Sequence, residues 1–256
     1  MASGRDADTI QAGRRMLAIL DYVAQCERDV GISEVSRALK VSTSTAHRLM
    51  TTLVAGGLLE QNDNHRYRLG VKLISLGYIA QERLDIRNEA LPYMKSMAGE
   101  TKLEVNLAKL DGANIVYIEK VTDMAQYTLN TRVGQQRPAY CRALGKILLA
   151  HCPDDQVREL VGSTFPRLTA HTVTTIDELL AQLAVARQRG YAEDREETAL
   201  GFMCIAAPIY DAKGEPVAAL SVSGSLTQYQ AMTEERVIAT LKSTAGQISR
   251  RLGYKG

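Results

Sequence analysis

The sequence predicts an α+β protein in two parts, a helical N-terminal segment and a larger domain of antiparallel strands flanked by helices. Its 256 residues exceed one average domain. Apolar residues recur at helical spacing over the N-terminal region. From about residue 91, apolar runs of strand length separated by turn residues take over. We place the N-terminal domain at 10–70, a linker helix at 71–90 and the C-terminal domain at 91–256.

The composition is that of an ordinary globular protein, with 45% hydrophobic and 23% charged residues. No apolar run approaches the roughly 20 residues of a membrane-spanning helix. The N-terminus also lacks the apolar core of a signal peptide, so we expect a cytoplasmic protein. The four cysteines are widely spaced and form no C-x-x-C pair, which argues against a disulfide framework and a zinc site. The sequence predicts no cofactor and no metal.

Basic residues concentrate in one stretch, although the formal net charge of the chain is only +2. Residues 40–72 contain five lysines and arginines against two acidic residues. Phosphate binding needs such a concentration on one surface, but an ordinary helical surface can carry the same excess. Charge alone therefore does not predict a nucleic-acid partner.

Two amphipathic helices are predicted before residue 40. In "GRRMLAILDYVAQC" the apolar residues recur at helical spacing and form one inner face. A second, shorter helix is expected to begin after Ser33, whose hydroxyl can cap its first N–H groups. The predicted inner faces are Met16, Leu17, Leu20, Val23 and Ala24 in the first helix and Val35, Ala38 and Leu39 in the second.

The segment "VSTSTAHRLM" predicts a third helix with a polar outer face. Ser42 is placed to cap it. A helix start lined with short hydroxyl residues, followed by histidine and arginine, can approach phosphates and place donors against base edges in a major groove. The inner face is predicted to be Ala46, Leu49, Met50 and Leu53, and the outer face Thr43, Ser44, His47, Arg48 and Thr51.

The segment "LLEQNDNHRYRLG" alternates apolar and polar residues around an Asn-Asp-Asn turn, which predicts a basic β-hairpin. Three helices and this hairpin describe a winged helix-turn-helix, with the hairpin arginines on DNA backbone or minor groove. The same fold also serves as an interaction module that never touches DNA, but the polar third helix favours DNA. The predicted DNA contacts are Ser42, Thr43, Ser44, His47, Arg48, Thr51, Arg66 and Arg68.

An apolar stripe marks "VKLISLGYIAQERLDIRNEALP", which predicts a linker helix that ends before Pro92. The stripe can pack against its own domain. It can equally pair with the same helix of a second subunit, which would place two recognition helices about a two-fold axis. The stripe consists of Leu73, Ile74, Leu76, Ile79, Ala80 and Leu84.

In the rest of the chain, strands such as "EVNLAKL", "ANIVYIEKV", "FMCIAAPIYD" and "PVAALSVSGS" alternate with helices and turns. Thr175 and Glu178 have the spacing of a capping box. This pattern predicts an antiparallel sheet of the sensor type with helices on its outer faces. Helices are expected at 87–101, 143–151, 154–161, 176–190 and 233–252.

Two C-terminal stretches, "PAYCRALGKILLA" and "RGYAEDREETALGFMCIAAPIYDAKGEPVAALSVSGS", resemble the IclR family of bacterial transcriptional regulators. The stretch "STSTAHRLMTTLVAGGLLEQNDNHRYRLG" is similar to the DNA-binding segment of that family, so the likeness covers nearly the whole chain. The resemblance implies a winged helix-turn-helix, a linker helix and a GAF-like domain that binds a small organic effector. It also implies homodimers or homotetramers on operator DNA, and a regulator that is not an enzyme.

The effector contacts of the family carry over to the C-terminal domain. Ala143 and Leu144 lie at a predicted helix start, where unpaired N–H groups suit a carboxylate. Ser221 and Ser223 point to one face of a strand, either as hydroxyl donors or as buried serines satisfied by backbone. Phe202 would form an apolar wall. The transferred positions are Ala143, Leu144, Asp194, Phe202, Cys204, Ser221 and Ser223.

Arg142 stands where members of the family usually carry a small hydroxyl residue, and we include it in the predicted site. With Arg137 and Tyr140 it would suit an aromatic or dicarboxylic acid, or it is a solvated surface arginine. Asp194 would repel an anionic effector unless it is protonated, pairs with Arg142 or accepts a hydrogen bond from a hydroxyl of the effector. The last case favours hydroxy or hydrated keto acids.

Two other functions are compatible with single features of the sequence. A hydrolase-like domain fused to a DNA-binding segment would use Cys204, His151 or His171, but a nucleophile elbow, an H-E-x-x-H motif and a P-loop are absent from the sequence. A metal sensor would use His151, Cys152 and Asp154, yet neighbours on one helix end rarely complete a zinc site. We expect a transcriptional regulator that a small organic acid controls and that governs a catabolic pathway.

Overall fold

The computed structural model divides into two compact units, each with a hydrophobic core of its own. The first unit comprises residues 1–83 and the second residues 84–256. This α+β architecture confirms the predicted fold class, with a helical N-terminal unit and an antiparallel sheet in the C-terminal unit. The structure describes residues 11–82, 85–122 and 131–256.

Three helices and a two-stranded hairpin form the first unit, and a fourth helix follows them. The strands pair in antiparallel register, with Glu60 opposite Arg68, which confirms the predicted wing. The hairpin lies so close to the loop after the third helix that a side chain does not fit at Gly70. A Cβ atom there would lie 2.3 Å from the carbonyl oxygen of Gly57. The elements are α1 (Gln11–Gln25), α2 (Ile32–Ala38), α3 (Thr43–Ala55), β1 (Leu59–Gln61), β2 (Tyr67–Leu69) and α4 (Lys72–Glu82).

The buried face of α1 differs from the predicted one. Ile19 and Val23 are buried, whereas Leu17 is 64% exposed and Ala24 is exposed as well. The apolar residues chosen from the sequence include some that flank the buried face, such as Leu17 and Ala24. Only packing against the other helices shows which apolar residues are buried. In α2 the predicted Ala38 is likewise exposed.

The predicted helix cap at Ser42 is confirmed, and the one at Ser33 is wrong. The Ser42 hydroxyl accepts a hydrogen bond from the Thr45 N–H at 3.2 Å. Ser33 lies inside α2, which begins after Gly31. The Glu34 carboxylate instead accepts a hydrogen bond from the Gly31 N–H at 2.9 Å. An acidic side chain therefore caps the start of α2 in place of the predicted serine.

The predicted linker helix falls into two parts. Its first part is α4 in the first unit, and its last part is the beginning of α5 in the second unit. Several large apolar residues of α4 are exposed, with Ile74 at 73% and Tyr78 at 61%. The predicted stripe residue Leu84 and the side chain of Ala80 lie outside the described residues.

Six antiparallel strands flanked by helices form the second unit. Their order in the sheet is β5-β4-β3-β8-β7-β6. The capping box of Thr175 and Glu178 is present, as predicted, whereas the short edge strands and α9 were not predicted. The elements are α5 (Asp85–Thr101), β3 (Glu104–Asp111), β4 (Asn114–Val121), β5 (Gln136–Pro138), α6 (Ala143–Leu149), α7 (Asp154–Val161), α8 (Ile176–Arg189), β6 (Ala192–Arg195), β7 (Phe202–Tyr210), β8 (Pro216–Ser225), α9 (Leu226–Ala231) and α10 (Glu234–Arg251).

Pro92 does not end a helix, contrary to the prediction. It lies in the middle of α5, and its ring is exposed to solvent. A proline removes one backbone hydrogen bond and crowds the preceding turn. The buried residues Met94 and Met97 of α5 pack against the sheet, and this tertiary packing holds the helix together across the proline.

The sheet is covered on both faces, and the two faces alternate along each strand. On β7, Met203 and Ile205 belong to the core beneath α5 and α10, whereas Cys204 and Ala206 belong to the core beneath α6 and α8. Polar residues occur on the second of these faces, which places the candidate site between the sheet and α6. No helix in the described ranges is long and apolar enough to cross a membrane.

Candidate functional sites

The outer face of α3 is polar and exposed, as predicted. Its inner residues Ala46, Met50 and Leu53 are buried, and Leu49 is half-buried. At the helix start the Ser42 hydroxyl lies 3.0 Å from that of Ser44 and 2.8 Å from that of Thr45. The exposed residues are Ser42, Thr43, Ser44, His47, Arg48 and Thr51.

The two arginines of the wing have different surroundings. The guanidinium of Arg66 donates to the Asp29 carbonyl oxygen at 2.9 and 2.6 Å and pairs with Glu34 at 3.1 Å. Arg66 therefore ties the wing to the segment before α2, and a phosphate contact would have to compete with Glu34. Arg68 is more exposed and pairs with Glu60 across the hairpin at 3.2 Å.

The second candidate site is a cavity between the sheet and α6 in the C-terminal unit. Its free volume is about 10 Å³, close to what one water molecule needs and far below the range of about 300–1,000 Å³ that is typical of sites for drug-sized ligands. Seven of the eight predicted effector residues line it. The lining residues are Asn106, Tyr117, Thr131, Arg142, Ala143, Leu144, Asp194, Cys204, Ser221 and Ser223.

The remaining predicted residues lie elsewhere. Phe202 begins β7 on the same face as Cys204 but does not line the cavity. Arg137 lies on β5 and is also not part of the wall. Tyr140 is buried in the core, where its ring stacks on Phe165 at 4.6 Å and its hydroxyl donates to a backbone carbonyl.

Two rows of side chains across the sheet include the residues that form the floor of the cavity. Directly opposed residues of antiparallel strands point to the same face and lie close together. The strand register therefore brings together polar residues that are far apart in the sequence. One row is Asp194, Cys204, Ser223 and Glu104 on β6, β7, β8 and β3, and the other is Ala206, Ser221, Asn106 and Lys120 on β7, β8, β3 and β4.

The start of α6 forms the opposite wall. Arg142 precedes the helix, and no side chain caps its first N–H groups. Gly145 allows α6 to approach the preceding segment, because a Cβ atom there would lie 2.2 Å from the Ala139 carbonyl oxygen. This close packing holds Ala143 and Leu144 over the floor of the cavity.

Three residues of the cavity wall carry a buried polar atom that has no hydrogen-bond partner among the described residues. These atoms are Nε of Arg142, Oγ of Ser221 and Oδ1 of Asn106. Such atoms are rare in native proteins, and each costs about 1–3 kcal/mol unless a ligand or water supplies the partner. Their convergence on one cavity indicates a site for a polar ligand.

Asp194 is buried, and its carboxylate accepts hydrogen bonds from the loop that follows β6. Oδ1 accepts hydrogen bonds from the N–H groups of Glu197 and Thr198 at 2.9 and 3.3 Å, and Oδ2 accepts one from the Thr198 hydroxyl at 2.6 Å. Burial raises the pKa of Asp194, and the Thr198 hydroxyl and the nearby cations Lys146 and Arg142 oppose this shift. Asp194 thus shapes the turn that closes one side of the cavity.

Burial favours the neutral forms of the Cys204 thiol and the Tyr117 hydroxyl in the wall. Burial raises the pKa of the Cys204 thiol to about 12, and the nearby Asp194 adds to this effect. Burial also raises the pKa of Tyr117 to about 12, against the opposing effect of the Arg142 guanidinium beside it. A catalytic cysteine needs a lowered pKa, so Cys204 lacks the property that a nucleophile requires.

A charged network lies behind the cavity floor. The Glu104 carboxylate pairs with Lys120 at 2.8 Å and accepts hydrogen bonds from the Thr131 hydroxyl and from Nδ2 of Asn106, both at 3.0 Å. Sequence analysis missed Asn106, Tyr117 and Thr131. Only Asn106 gave a signal, as a polar residue inside the apolar run "EVNLAKL".

The described residues include no group of three or more histidine, cysteine or acidic side chains that could hold a metal ion. All four cysteines are free.

Two protein-family models match the chain, one in each part of it. The model described as the IclR helix-turn-helix domain matches residues 14–63. The model described as the C-terminal part of the bacterial transcriptional regulator IclR matches residues 79–250. The first match includes α3 but not the wing arginines Arg66 and Arg68, and the second includes every residue that lines the cavity.

Individual relatives are similar over almost their full length. The HTH-type transcriptional regulator KdgR of Escherichia coli is 32% identical over 252 residues, which covers 98% of this chain and 95% of KdgR. The crystal structure of IclR from Thermotoga maritima is 33% identical, with a TM-score of 0.70 and coverage of 94% of this chain and 98% of that one. An IclR homologue from Microbacterium hydrocarbonoxydans, solved in complex with 4-hydroxybenzoate, is 26% identical with a TM-score of 0.80 and the same coverage. These relatives are regulators of transcription, not enzymes.

Proposed function

Because the chain belongs to the IclR family of bacterial DNA-binding transcriptional regulators with a C-terminal effector-binding domain, we propose that a small organic acid controls its affinity for operator DNA. The acid binds in the polar cavity between the sheet and α6. Three unpartnered polar groups in this one buried cavity support the proposal most directly.

An acid suits the cavity because most of its free polar groups are hydrogen-bond donors. The guanidinium of Arg142 carries a permanent positive charge, and the Ser221 hydroxyl and the N–H groups at the start of α6 can donate as well. The one carboxylate in the wall, Asp194, already accepts three hydrogen bonds from its own loop, which lowers its repulsion of a bound anion.

A relative supports the same class of effector. The homologue from Microbacterium hydrocarbonoxydans has the same fold over 94% of this chain and binds 4-hydroxybenzoate, a carboxylic acid. We extend the class, not the compound, to this chain. We also propose that the regulated genes belong to the catabolic pathway that produces or consumes the acid.

On the DNA side, we propose that α3 enters the major groove. Its hydroxyl residues would meet phosphates at the helix start, and His47, Arg48 and Thr51 would reach base edges. Arg68 is the wing residue best placed for a backbone contact, since Arg66 is held by Glu34 and the Asp29 carbonyl.

We propose further that the protein acts as a homodimer or a homotetramer. Val71, just before α4, and Ile74 and Tyr78 on α4 are 61–73% exposed and would be buried against a second copy. An effector can change DNA affinity only by favouring one arrangement of the subunits over another. The segment 71–90 joins the two units and is the part of the chain through which this coupling would pass.

The test compares the wild type with a double variant, Ser221→Ala with Ser223→Ala. Operator DNA is first selected from random sequence with the wild-type protein, and a panel of small acids is screened by thermal shift. We expect the double variant to bind the operator with unchanged affinity and to bind the acid about 10- to 100-fold more weakly, because two hydroxyl donors are lost.

A matched control is the pair of exposed serines Ser96→Ala and Ser243→Ala on α5 and α10, on the other side of the sheet. These variants should respond to the acid as the wild type does. Wild-type acid affinity in the double variant Ser221→Ala with Ser223→Ala would place the effector site elsewhere.

A further inference from the structure

We propose that the effector is a hydroxy acid with its hydroxyl on carbon 2 or 3, and that Asn106 selects it by accepting a hydrogen bond from that hydroxyl. Arg142 would hold the carboxylate. The inference rests on the proposed function of the cavity and adds two specificity-determining residues to it.

The orientation of the Asn106 side chain is fixed by its partner. Its Nδ2 donates to Oε1 of Glu104 at 3.0 Å. The carboxylate of Glu104 also pairs with Lys120 at 2.8 Å and accepts hydrogen bonds, so the amide nitrogen of Asn106 is the group that faces Glu104. Oδ1 of Asn106 is therefore the atom that has no hydrogen-bond partner among the described residues, and it is an acceptor.

An unpartnered acceptor selects a ligand that brings a donor. Asn106 is 2% exposed, so bulk water does not satisfy Oδ1. A simple carboxylic acid is ionised near neutral pH and carries no donor of its own. A hydroxyl supplies one.

The register of the sheet fixes how far this hydroxyl lies from the carboxylate. Asn106 on β3 is directly opposite Ser221 on β8. Side chains at such positions have Cβ atoms about 5 Å apart. A ligand that places its carboxylate on Ser221 and its hydroxyl on Asn106 therefore needs only one or two carbon atoms between the two groups. This distance distinguishes 2- and 3-hydroxy acids from acids with a remote hydroxyl.

Arg142 supplies the charge that the carboxylate requires. Its Nε is buried without a hydrogen-bond partner, and its side chain lies beside the Tyr117 hydroxyl in the cavity wall. A guanidinium in such a place prefers a carboxylate, with which it forms two parallel hydrogen bonds. The cavity thus offers a cation, a hydroxyl donor and an amide acceptor within a short span.

The experiment measures the affinity of the full-length protein for matched acids by calorimetry. The panel consists of butyrate with its 2-, 3- and 4-hydroxy derivatives, and of benzoate with its 2- and 4-hydroxy derivatives. We expect a 2- or 3-hydroxy acid to bind at least about tenfold more tightly than the parent acid, the effect of one buried hydrogen bond. The 4-hydroxy derivatives should gain nothing over the parent.

Asn106→Leu removes the acceptor at similar volume and should abolish the preference for the hydroxyl while the parent acid still binds. Thr244→Val, a buried change on α10 at the other side of the sheet, should keep the preference. The wild-type panel alone tests the class of acid, so the proposal does not depend on the folding of the variant.

The outcomes separate the two proposals. Equal affinity of the wild type for parent and hydroxy acids would overturn the hydroxy-acid inference and leave the acid site standing. A preference that survives Asn106→Leu would overturn the role of Asn106. Binding of no acid at all, with or without a hydroxyl, would overturn the proposed function itself.

Discussion

Arg48 and Arg66 carry the same charge but have different roles in the first unit. Arg48 is exposed on α3, and no ion pair connects it to a described residue. Arg66 is bound to the Asp29 carbonyl and to Glu34. The Gly31 N–H, together with Arg28 and Arg66, lowers the pKa of Glu34, which keeps this carboxylate ionised as the partner of Arg66.

Replacing each arginine should therefore change a different property. Arg48→Ala should weaken operator binding and leave the thermal midpoint unchanged. A phosphate contact would reduce the salt dependence of log Kd by about one unit, and a base contact would relax specificity at one position at a cost of about 1–3 kcal/mol. Mobility shifts at several salt concentrations measure both effects.

Arg66→Ala serves as the comparison, because it should lower the stability of the first unit by about 1–2 kcal/mol through the lost hydrogen bonds. This loss should shrink at acidic pH. A carboxylate with a lowered folded-state pKa contributes stability above its unfolded pKa and loses it as the pH falls through the folded value. Equal thermal midpoints of wild type and Arg66→Ala at neutral pH would contradict this assignment.

At the scale of the element, large apolar residues at the start of α4 and along it are exposed within the described part of the chain. Val71, Ile74 and Tyr78 repeat at helical spacing and are all more than 60% exposed. Isolated exposed apolar residues are common, but a contiguous stripe of this kind is a feature of association surfaces. The sequence left open whether this stripe packs against its own domain or against a second subunit. The exposure of the stripe favours the second subunit.

Ile74→Asp should dissociate the oligomer without unfolding the chain, because a charge at this exposed position meets solvent in the monomer and an apolar partner in the dimer. Size-exclusion chromatography with light scattering measures the change in mass. Ser75→Asp, an exposed neighbour on the same helix, is the matched control and should keep the wild-type mass. An oligomer of Ile74→Asp with wild-type mass would exclude this face of α4 from the interface.

At the scale of the whole molecule, the two units have separate cores, and all residues of the proposed effector site lie in the second. We expect a fragment of residues 84–256 to fold alone and to bind the acid within about twofold of the full-chain Kd. It should not bind operator DNA. Calorimetry and circular dichroism test this, and a folded fragment that fails to bind an acid bound by the full chain would show that the site needs the first unit.

The sequence by itself determined the elements that local chemistry specifies. Hydroxyl capping at Ser42, the capping box at Thr175 and the Asn-Asp-Asn turn depend on neighbours within a few residues, and all three are as predicted. The resemblance to a family also carried over six of the ten residues that line the cavity, and Arg142, predicted beside them, is a seventh.

Only the tertiary structure decided which residues face each other. Asn106 became a candidate because the register of β3 and β8 sets it opposite Ser221, more than a hundred residues away in the chain. The exposure of Leu17, the helix that continues through Pro92 and the ties of Arg66 to Glu34 depend on packing between distant segments. Periodicity and spacing describe one element at a time, whereas burial, partners and free polar atoms are properties of several elements together.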